Sequence, residues 1–510
     1  MKHLSTWGGG AADTNARRWG LLAVVVAGAL GFRLWGITWG FPLKYAHIDE
    51  SVVLFYSVRI LSGAVNSGFF DYPSFFLNLL AAFLRLSQAI GYGGGLVPSL
   101  EVLLGDYVAG DSRFFLVVAR GLTVMFAAGT VALTAHMGRR LGGGAGLGAA
   151  ALLAGNPFHV LHSHYGTLDV AGAFLTLLAM DRIVRYGETG RERDGLWAGA
   201  AVGLAAAAKY YPGILMVPLL GILLWRGRPR ETPGARGAGA LGVAAKMTLS
   251  ALAAFALGSP FTLLALPDFL SRFAHLFPKI VGIPGTSLPF VPTIRHLFDG
   301  VGAWVFLFGL AGAAVSLGTR GPWRTLMIVW IALLFFLGLW RHQTAHYGLG
   351  LYPVLLMLAC RGFSLLKRFH RTLPGLAWSA GMILSLVPTV REMRALVRPD
   401  TRLEAGAWLR GNLHPGAKIL RFAHTPEFTP RDPFQVTVDF TNQALAWVAE
   451  GREAPALLSG YDCLVFSSFN GTADPAVAAL RSRFSLVRSF SREGGRFPHN
   501  PSVFVFATHG

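Results

Sequence analysis

The sequence predicts an all-α polytopic membrane protein, with about 11–13 transmembrane helices and a small soluble α/β domain at its C-terminal end. Three observations predict it. Only 14% of the 510 residues are charged and 53% are hydrophobic, with a mean hydropathy of +0.49. Soluble globular chains carry about 25% charged residues, so a surface this poor in charge needs lipid around most of it. Apolar runs long enough to cross a bilayer recur along the first 390 residues, and beyond about residue 391 charges and prolines become frequent.

The apolar runs fall near 19–37, 73–91, 114–137, 146–161, 167–186, 195–210, 212–226, 246–265, 301–318, 324–340, 345–361 and 374–390. Crossing the hydrocarbon takes roughly 17–25 residues, which most of these supply. The first run follows Arg17 and Arg18 with no clear small-residue cleavage site, so it reads as a retained helix. The net charge of +19 would suggest nucleic acid in a soluble protein. Here the basic residues gather between apolar runs, at Arg226–Arg236 and Arg361–Arg371, where membrane topology accounts for them.

The same rule orients the chain. With 182–193, 226–246, 320–324 and 361–371 in the cytoplasm, the loops 266–300 and 341–346 and everything after 391 fall outside. Arg17/Arg18 and Arg139/Arg140 both look cytoplasmic yet are separated by three spans, so either a further crossing or half-helix lies between 40 and 113 or one basic pair breaks the rule. In the tail, helices are predicted over 401–411, 441–450 and 474–483, and strands over 418–422, 463–467, 485–490 and 502–507. The division is therefore a membrane domain, 1–390, and an extracytoplasmic α/β domain, 391–510. Cys360 and Cys463 lie in different kinds of segment, so no disulfide is expected.

Ionisable residues beside membrane spans are costly and mark functional sites by default. His47-Ile48-Asp49-Glu50 follows the first span. Adjacent carboxylates beside an imidazole suit a general base or a metal, while Asp49 could equally cap a helix over 50–62. Asp71-Tyr72-Pro73 enters the second span as a cap, an interfacial aromatic and a first-turn proline. The stretch from Asn156 to Asp169 holds His159, His162, His164, Tyr165 and Asp169. Of these, His162 and His164 could bind a divalent cation, although the three histidines do not share a helical face. Lys209-Tyr210 interrupts an Ala-rich run, where the lysine either snorkels to the interface or meets a phosphate. Arg341, His346 and Tyr347 sit between two spans on the predicted outer face, where cations could hold an anionic headgroup.

In order along the chain, these motifs resemble the C-type membrane glycosyltransferases, in particular the protein O-mannosyltransferase-like and aminoarabinose-transferase-like group that uses polyprenyl-phosphate sugars. The matching pieces are Asp49-Glu50, Tyr72-Pro73, Tyr165 to Asp169, Lys209-Tyr210, Gly258-Ser259-Pro260-Phe261 with Asp268-Phe269, Arg341 through Tyr347 to Pro353, and the tail start from Thr401-Arg402 to Pro415-Gly416. The resemblance covers about three quarters of the chain. It departs at Tyr72-Pro73-Ser74, where members of the group often carry a lysine or a second proline.

The resemblance implies the C-type fold and sugar transfer from a polyprenyl-phosphate donor to an acceptor hydroxyl on a lipid, glycan or protein, by single displacement with inversion. It implies Asp49 as the base or its neighbour, with Glu50 and Asp169 as further catalytic acids. Donor contacts would come from Tyr72, Tyr165, Lys209, Tyr210, Arg341, His346 and Tyr347. No nucleotide-binding glycine loop is present, which suits a lipid-phosphate donor. The motifs establish no cofactor and leave a divalent metal open. A transporter or flippase of lipid-linked sugars is the alternative, and it predicts inverted repeats that the hydropathy pattern lacks.

Overall fold

The computed structural model describes residues 9–142, 145–226, 239–280, 290–340, 344–429, 432–439, 460–492 and 500–508. Nineteen α-helices are described: α1 (Gly9–Leu34), α2 (Ile48–Leu61), α3 (Phe75–Gly93), α4 (Leu100–Val108), α5 (Arg113–Arg140), α6 (Ala145–Ala154), α7 (Pro157–His162), α8 (Asp169–Thr189), α9 (Glu192–Ala208), α10 (Met216–Arg226), α11 (Ala240–Gly258), α12 (Phe261–Leu264), α13 (Leu266–Ile280), α14 (Val291–Gly318), α15 (Pro322–Gly338), α16 (Tyr352–Ser364), α17 (Leu373–Leu396), α18 (Thr401–Asn412) and α19 (Pro475–Arg481). Every apolar run of the sequence is mainly helical, although 146–161 is divided between α6 and α7, 246–265 between α11 and α12, and 212–226 and 345–361 open with 3-10 turns. Among the described residues six segments are long and apolar enough to cross a membrane: Phe75–Gly93, Arg113–Arg140, Ala240–Gly258, Val291–Gly318, Ala345–Arg368 and Leu373–Asn412. The interval 40–113 holds the short helices α2 and α4 on either side of α3.

The chain divides into two compact units, one of residues 1–37, 53–86 and 118–392, the other of 38–52, 87–117 and 393–510. The first is a helix bundle. Lipid tails are as apolar as leucine, so its helices associate through close backbone approach rather than through a hydrophobic difference. Gly195, Gly199 and Gly203 form one stripe on α9 against α11. A Cβ on Gly199 would lie 2.4 Å from the Met247 carbonyl oxygen, and one on Gly203 only 1.9 Å from that of Ala251. Gly312 and Gly362 bring α14 and α16 together in the same way.

Charge is buried where helices cross. Asp181 of α8 is fully buried and meets Arg140 of α5, with Arg140 Nη1 2.6 Å from its Oδ1, while the neighbouring Arg182 takes its other oxygen. These charges keep α8 from reading as a plain apolar span.

The second unit contains a five-stranded sheet of β1 (Lys418–Phe422), β2 (Gln435–Asp439), β3 (Cys463–Ser468), β4 (Ser485–Phe490) and β5 (Ser502–Ala507), in the order β2-β1-β3-β5-β4. β1 pairs in parallel with β2 and β3, and β5 is antiparallel to β3 and β4. β3 is buried along its whole length, as a central strand between two covered faces should be. β2 is the strand that pattern alone leaves unmarked, because it lies at the sheet edge and none of its residues is fully buried. The helix expected over 441–450 lies outside the described residues.

At the first loop the structure moves a helix start. Ser51 N–H already bonds to the His47 carbonyl at 3.3 Å, so α2 begins at Ile48 and Asp49 lies inside its first turn instead of capping a helix at 50.

The glycine contacts make a direct prediction. Gly203→Ala should lower the thermal stability of the detergent-solubilised protein by about 1–3 kcal/mol, the usual cost of overpacking. At Gly221 of α10 an added Cβ meets nothing within 4 Å, so Gly221→Ala should be neutral or stabilising by about 0.5–1 kcal/mol through helix propensity. Equal unfolding midpoints for the two variants would contradict this packing.

Candidate active site

Within the helix bundle the most polar buried constellation centres on Asp169 and Lys209. Asp169 is the first residue of α8, where a carboxylate also benefits from the helix N-terminus. Its Oδ2 accepts a hydrogen bond from Thr167 Oγ1 at 2.8 Å, and its Oδ1 is ion-paired with Lys209 Nζ. Both side chains are buried. The local chain explains how Lys209 gets there. α9 stops at Ala208, Lys209 adopts extended dihedrals (φ −146°, ψ 139°), and Pro212 starts a short 3-10 turn, Tyr211–Leu215. Lys209 and Tyr210 consequently leave the chain in different directions.

Aromatic rings wall the lysine. Its Nζ is 4.9 Å from the Tyr347 ring centre and 5.8 Å from that of Tyr211, and Trp340 packs edge-on to both rings at 5.1 and 5.9 Å. The imidazoles of His162 and His346 have centres 6.1 Å apart, and both are close enough to Asp169 to interact electrostatically. The buried Tyr165 packs edge-on against His162 at 5.4 Å. The structure thus brings together Asp169, Lys209, Tyr165, His162, His346 and Tyr347. Arg341 lies outside the described residues.

The other half of the Asn156–Asp169 cluster is structural, and the residue that explains it went unmarked in sequence. Arg33, near the end of α1, is fully buried. Its guanidinium donates to the carbonyls of Leu153 and Ala154 at 3.3 and 3.0 Å, to Ser163 Oγ at 3.2 Å and to His159 Nδ1 at 2.9 Å. It thereby satisfies the carbonyls that the end of α6 leaves without helical partners. Asn156 caps α7 by accepting from His159 N–H at 2.9 Å, and it donates to Gly300 O at 2.8 Å.

His164 turns Nδ1 to Val160 O at 2.9 Å and Nε2 to Trp35 O at 3.1 Å. Both ring nitrogens of His164 face carbonyl oxygens of the scaffold, and a neutral ring donates to only one of them. Among the described residues no three His, Cys, Asp or Glu side chains gather as a metal-binding group.

Tyr72 and Tyr210 belong to a different part of the bundle. Tyr210 donates to Phe70 O at 3.1 Å and packs on Phe269 at 5.7 Å. Tyr72 packs edge-on against Phe69, which stacks on Tyr56 at 4.3 Å. Beside them a cavity of about 710 Å³ is lined by Tyr56, Asp71, Asp268, Arg272 and His275, with Arg272 forked onto Asp71 through Nη2 at 2.6 Å.

Asp49 and Glu50 fall in the second unit. Glu50 is buried and Asp49 half-buried. Among the described residues the Asp49 carboxylate has no hydrogen-bond or ion-pair partner. The backbone just before it is tightly held. Glu427 accepts from the N–H groups of Lys44 and Tyr45 at 2.8 and 2.6 Å, and Arg402 Nη1 donates to Ala46 O at 3.0 Å. Burial holds the Glu427 carboxyl above the usual carboxylate range despite those donors and the nearby Arg421 and Arg402. Burial, with Arg402 and His47 beside it, pushes His424 down to about 4, so that imidazole is neutral at physiological pH.

Comparison with known proteins bears on this geometry. Residues 103–251 match the family model of dolichyl-phosphate-mannose-protein mannosyltransferase, a segment that includes Tyr165, Asp169, Lys209 and Tyr210. No curated protein sequence matches the chain. Among solved structures the apo form of ArnT from Cupriavidus metallidurans superposes with a TM-score of 0.55 at 14% identity, over 97% of this chain and 98% of that one. ArnT from the same organism bound to undecaprenyl phosphate gives 0.53 at 14% identity, over 98% and 99%. The archaeal oligosaccharyltransferase AglB of Archaeoglobus fulgidus, in complex with an inhibitory peptide and a dolichol-phosphate, gives 0.51 at 12% identity, over 97% and 74%. Fold and matched segment together define a membrane glycosyltransferase with the C-type fold. Within that class the segment 103–251 is similar to the protein mannosyltransferases and the fold is similar to that of ArnT.

The buried pair can be tested for what it contributes. Lys209→Met leaves Asp169 unpaired and should destabilise the protein by about 3–5 kcal/mol. Adding Asp169→Asn removes the stranded charge and should restore most of the unfolding midpoint. A Lys209→Met protein as stable as wild type would show that the pair is not formed in the membrane.

Proposed function

We propose that the chain transfers a sugar from a polyprenyl-phosphate donor to an acceptor hydroxyl on the extracytoplasmic face of the membrane, with inversion at the anomeric carbon. The observation that carries the reading is the Asp49 carboxylate, half-buried and unpartnered among the described residues, in the first turn of α2 just after a backbone segment, 44–46, that is held by hydrogen bonds. A general base must keep its lone pair available and its position fixed. Donor choice is supported by the matched family segment and by the polyprenyl phosphates bound to ArnT and AglB.

The displacement runs as one step. Asp49 takes the proton of the acceptor hydroxyl as its oxygen bonds to the anomeric carbon, and the bond from that carbon to the phosphate oxygen breaks with its electrons on the leaving lipid phosphate. Lys209, Arg341 and His346 are the candidate partners of that phosphate, where a positioned donor or positive charge counts for more than in water. Asp169 orients Lys209 through their ion pair, and Tyr347 presents a ring face to its ammonium. Glu50 supports the Asp49 turn. The outer-face assignment rests on the basic loops and on the hydrogen bonds that join the 44–46 backbone to the tail within one unit.

Asp49→Asn should preserve fold and donor binding, because the amide is isosteric and the phosphate is held by other residues. Release of undecaprenyl phosphate from a panel of undecaprenyl-phosphate sugars should nevertheless fall about 10²–10⁴-fold, the usual contribution of a positioned base. Glu50→Gln should lose less. Normal turnover by folded Asp49→Asn would remove Asp49 from the chemistry. For the topology, Arg481→Cys should react with a membrane-impermeant maleimide in right-side-out vesicles, and protection there with labelling in inverted vesicles would place the tail in the cytoplasm.

A further inference from the structure

The second unit draws residues 38–52 into the same compact body as the tail, and the contacts within it fall on one short piece of main chain. Glu427 spans the consecutive N–H groups of Lys44 and Tyr45. Arg402, fully buried and forked onto Asp400 at 2.8 and 2.6 Å, extends its remaining nitrogen to Ala46 O. Ser51 Oγ donates to Lys44 O at 2.6 Å, which closes the segment onto the first turn of α2. Lys44 Nζ lies 4.2 Å from the ring centre of the buried Tyr107. Asp400 also caps α18 by accepting from Arg402 N–H at 2.9 Å, so the arginine that reaches the loop is locked to the start of a tail helix.

This pattern is unusual for simple domain docking. Glu427 and the Arg402 contact to Ala46 address backbone groups, and they end immediately before Asp49. The Asp49 side chain has no partner of its own among the described residues, so its direction follows from the backbone that these contacts set. A misplacement of about 1 Å in a reacting group can cost on the order of 10²-fold in rate.

We propose that the C-terminal domain positions the base: Glu427 and Arg402 are positioning residues that hold the 44–46 backbone and thereby aim the Asp49 carboxylate at the acceptor hydroxyl. The inference rests on the reading of Asp49 as base, and its test separates the two. In the full chain reconstituted in nanodiscs, Glu427→Ala should speed hydrogen exchange at the Lys44 and Tyr45 amides by about tenfold or more, with strands β1 and β3 as protected as in wild type. In the same protein, kcat for undecaprenyl phosphate release should fall about 10–100-fold with KM for the donor sugar unchanged. Glu427→Gln, which keeps one acceptor oxygen for two donors, should fall between wild type and alanine in both readouts.

Unchanged exchange at 44–45 would overturn the grip. Faster exchange with wild-type kcat, or a rise in KM alone, would leave a grip without a positioning role and overturn the proposal. Should Glu427→Ala lose the protection of β1 and β3, Glu427→Gln decides by the same two measurements. Normal turnover by Asp49→Asn would instead refute the base itself, and the exchange result would then stand apart from catalysis.

Discussion

The ion pair between Lys209 and Asp169 depends on a break in a helix, and much of the bundle is arranged around that break. A lysine continuing α9 would follow the Gly195–Gly203 stripe or its opposite face. Because α9 ends at Ala208 and Lys209 is extended, the ammonium instead reaches the first residue of α8. In an apolar surround neither charge is tolerable alone. The pair holds the α8 N-terminus and the α9 C-terminus to each other, and Tyr211, Trp340 and Tyr347 gather on the cation's other side. This part of the bundle is thus one charge pair with an aromatic wall.

Around that core the polar backbone must also be accounted for, since lipid offers no hydrogen bonds. Arg33 does this for the end of α6, and Asn156 does it for the start of α7. Their work lets the chain bend twice between α6 and α8 without stranding carbonyls, and the second bend presents His162, Tyr165 and Asp169 on one side. Histidines that looked like a ligand cluster in sequence thereby separate into His159 and His164, which are bonded into the scaffold, and His162, which faces the charge pair.

The second unit follows a related logic. Its sheet is a conventional small α/β assembly, with the buried β3 between parallel and antiparallel neighbours. What distinguishes it is the use of two charged side chains, Glu427 and Arg402, on the main chain of a distant segment. Main-chain recognition fixes geometry while leaving the side chains of that segment available, and Asp49 is one of them.

The sequence by itself determined the class of solvent and the elements. Apolar runs and scarce charge predict a helix for each run from 19–37 to 374–390, and period-two patterns predict β1, β3, β4 and β5, because burial against lipid or a core leaves a periodic record along the chain. Asp169, Lys209, His346 and Tyr347 were also legible, since ionisable and aromatic groups beside a span stand out against it. The tertiary structure alone decided which of these meet. Nothing in sequence spacing separates His162 from His164, or sends Lys209 and Tyr210 to different surroundings, because those outcomes depend on where helices stop and on which carbonyls a distant arginine must satisfy. Arg33 and Glu427 carry no local signal for the same reason: their partners lie 120 and 383 residues away, and only folding brings a side chain to a backbone that far along the chain.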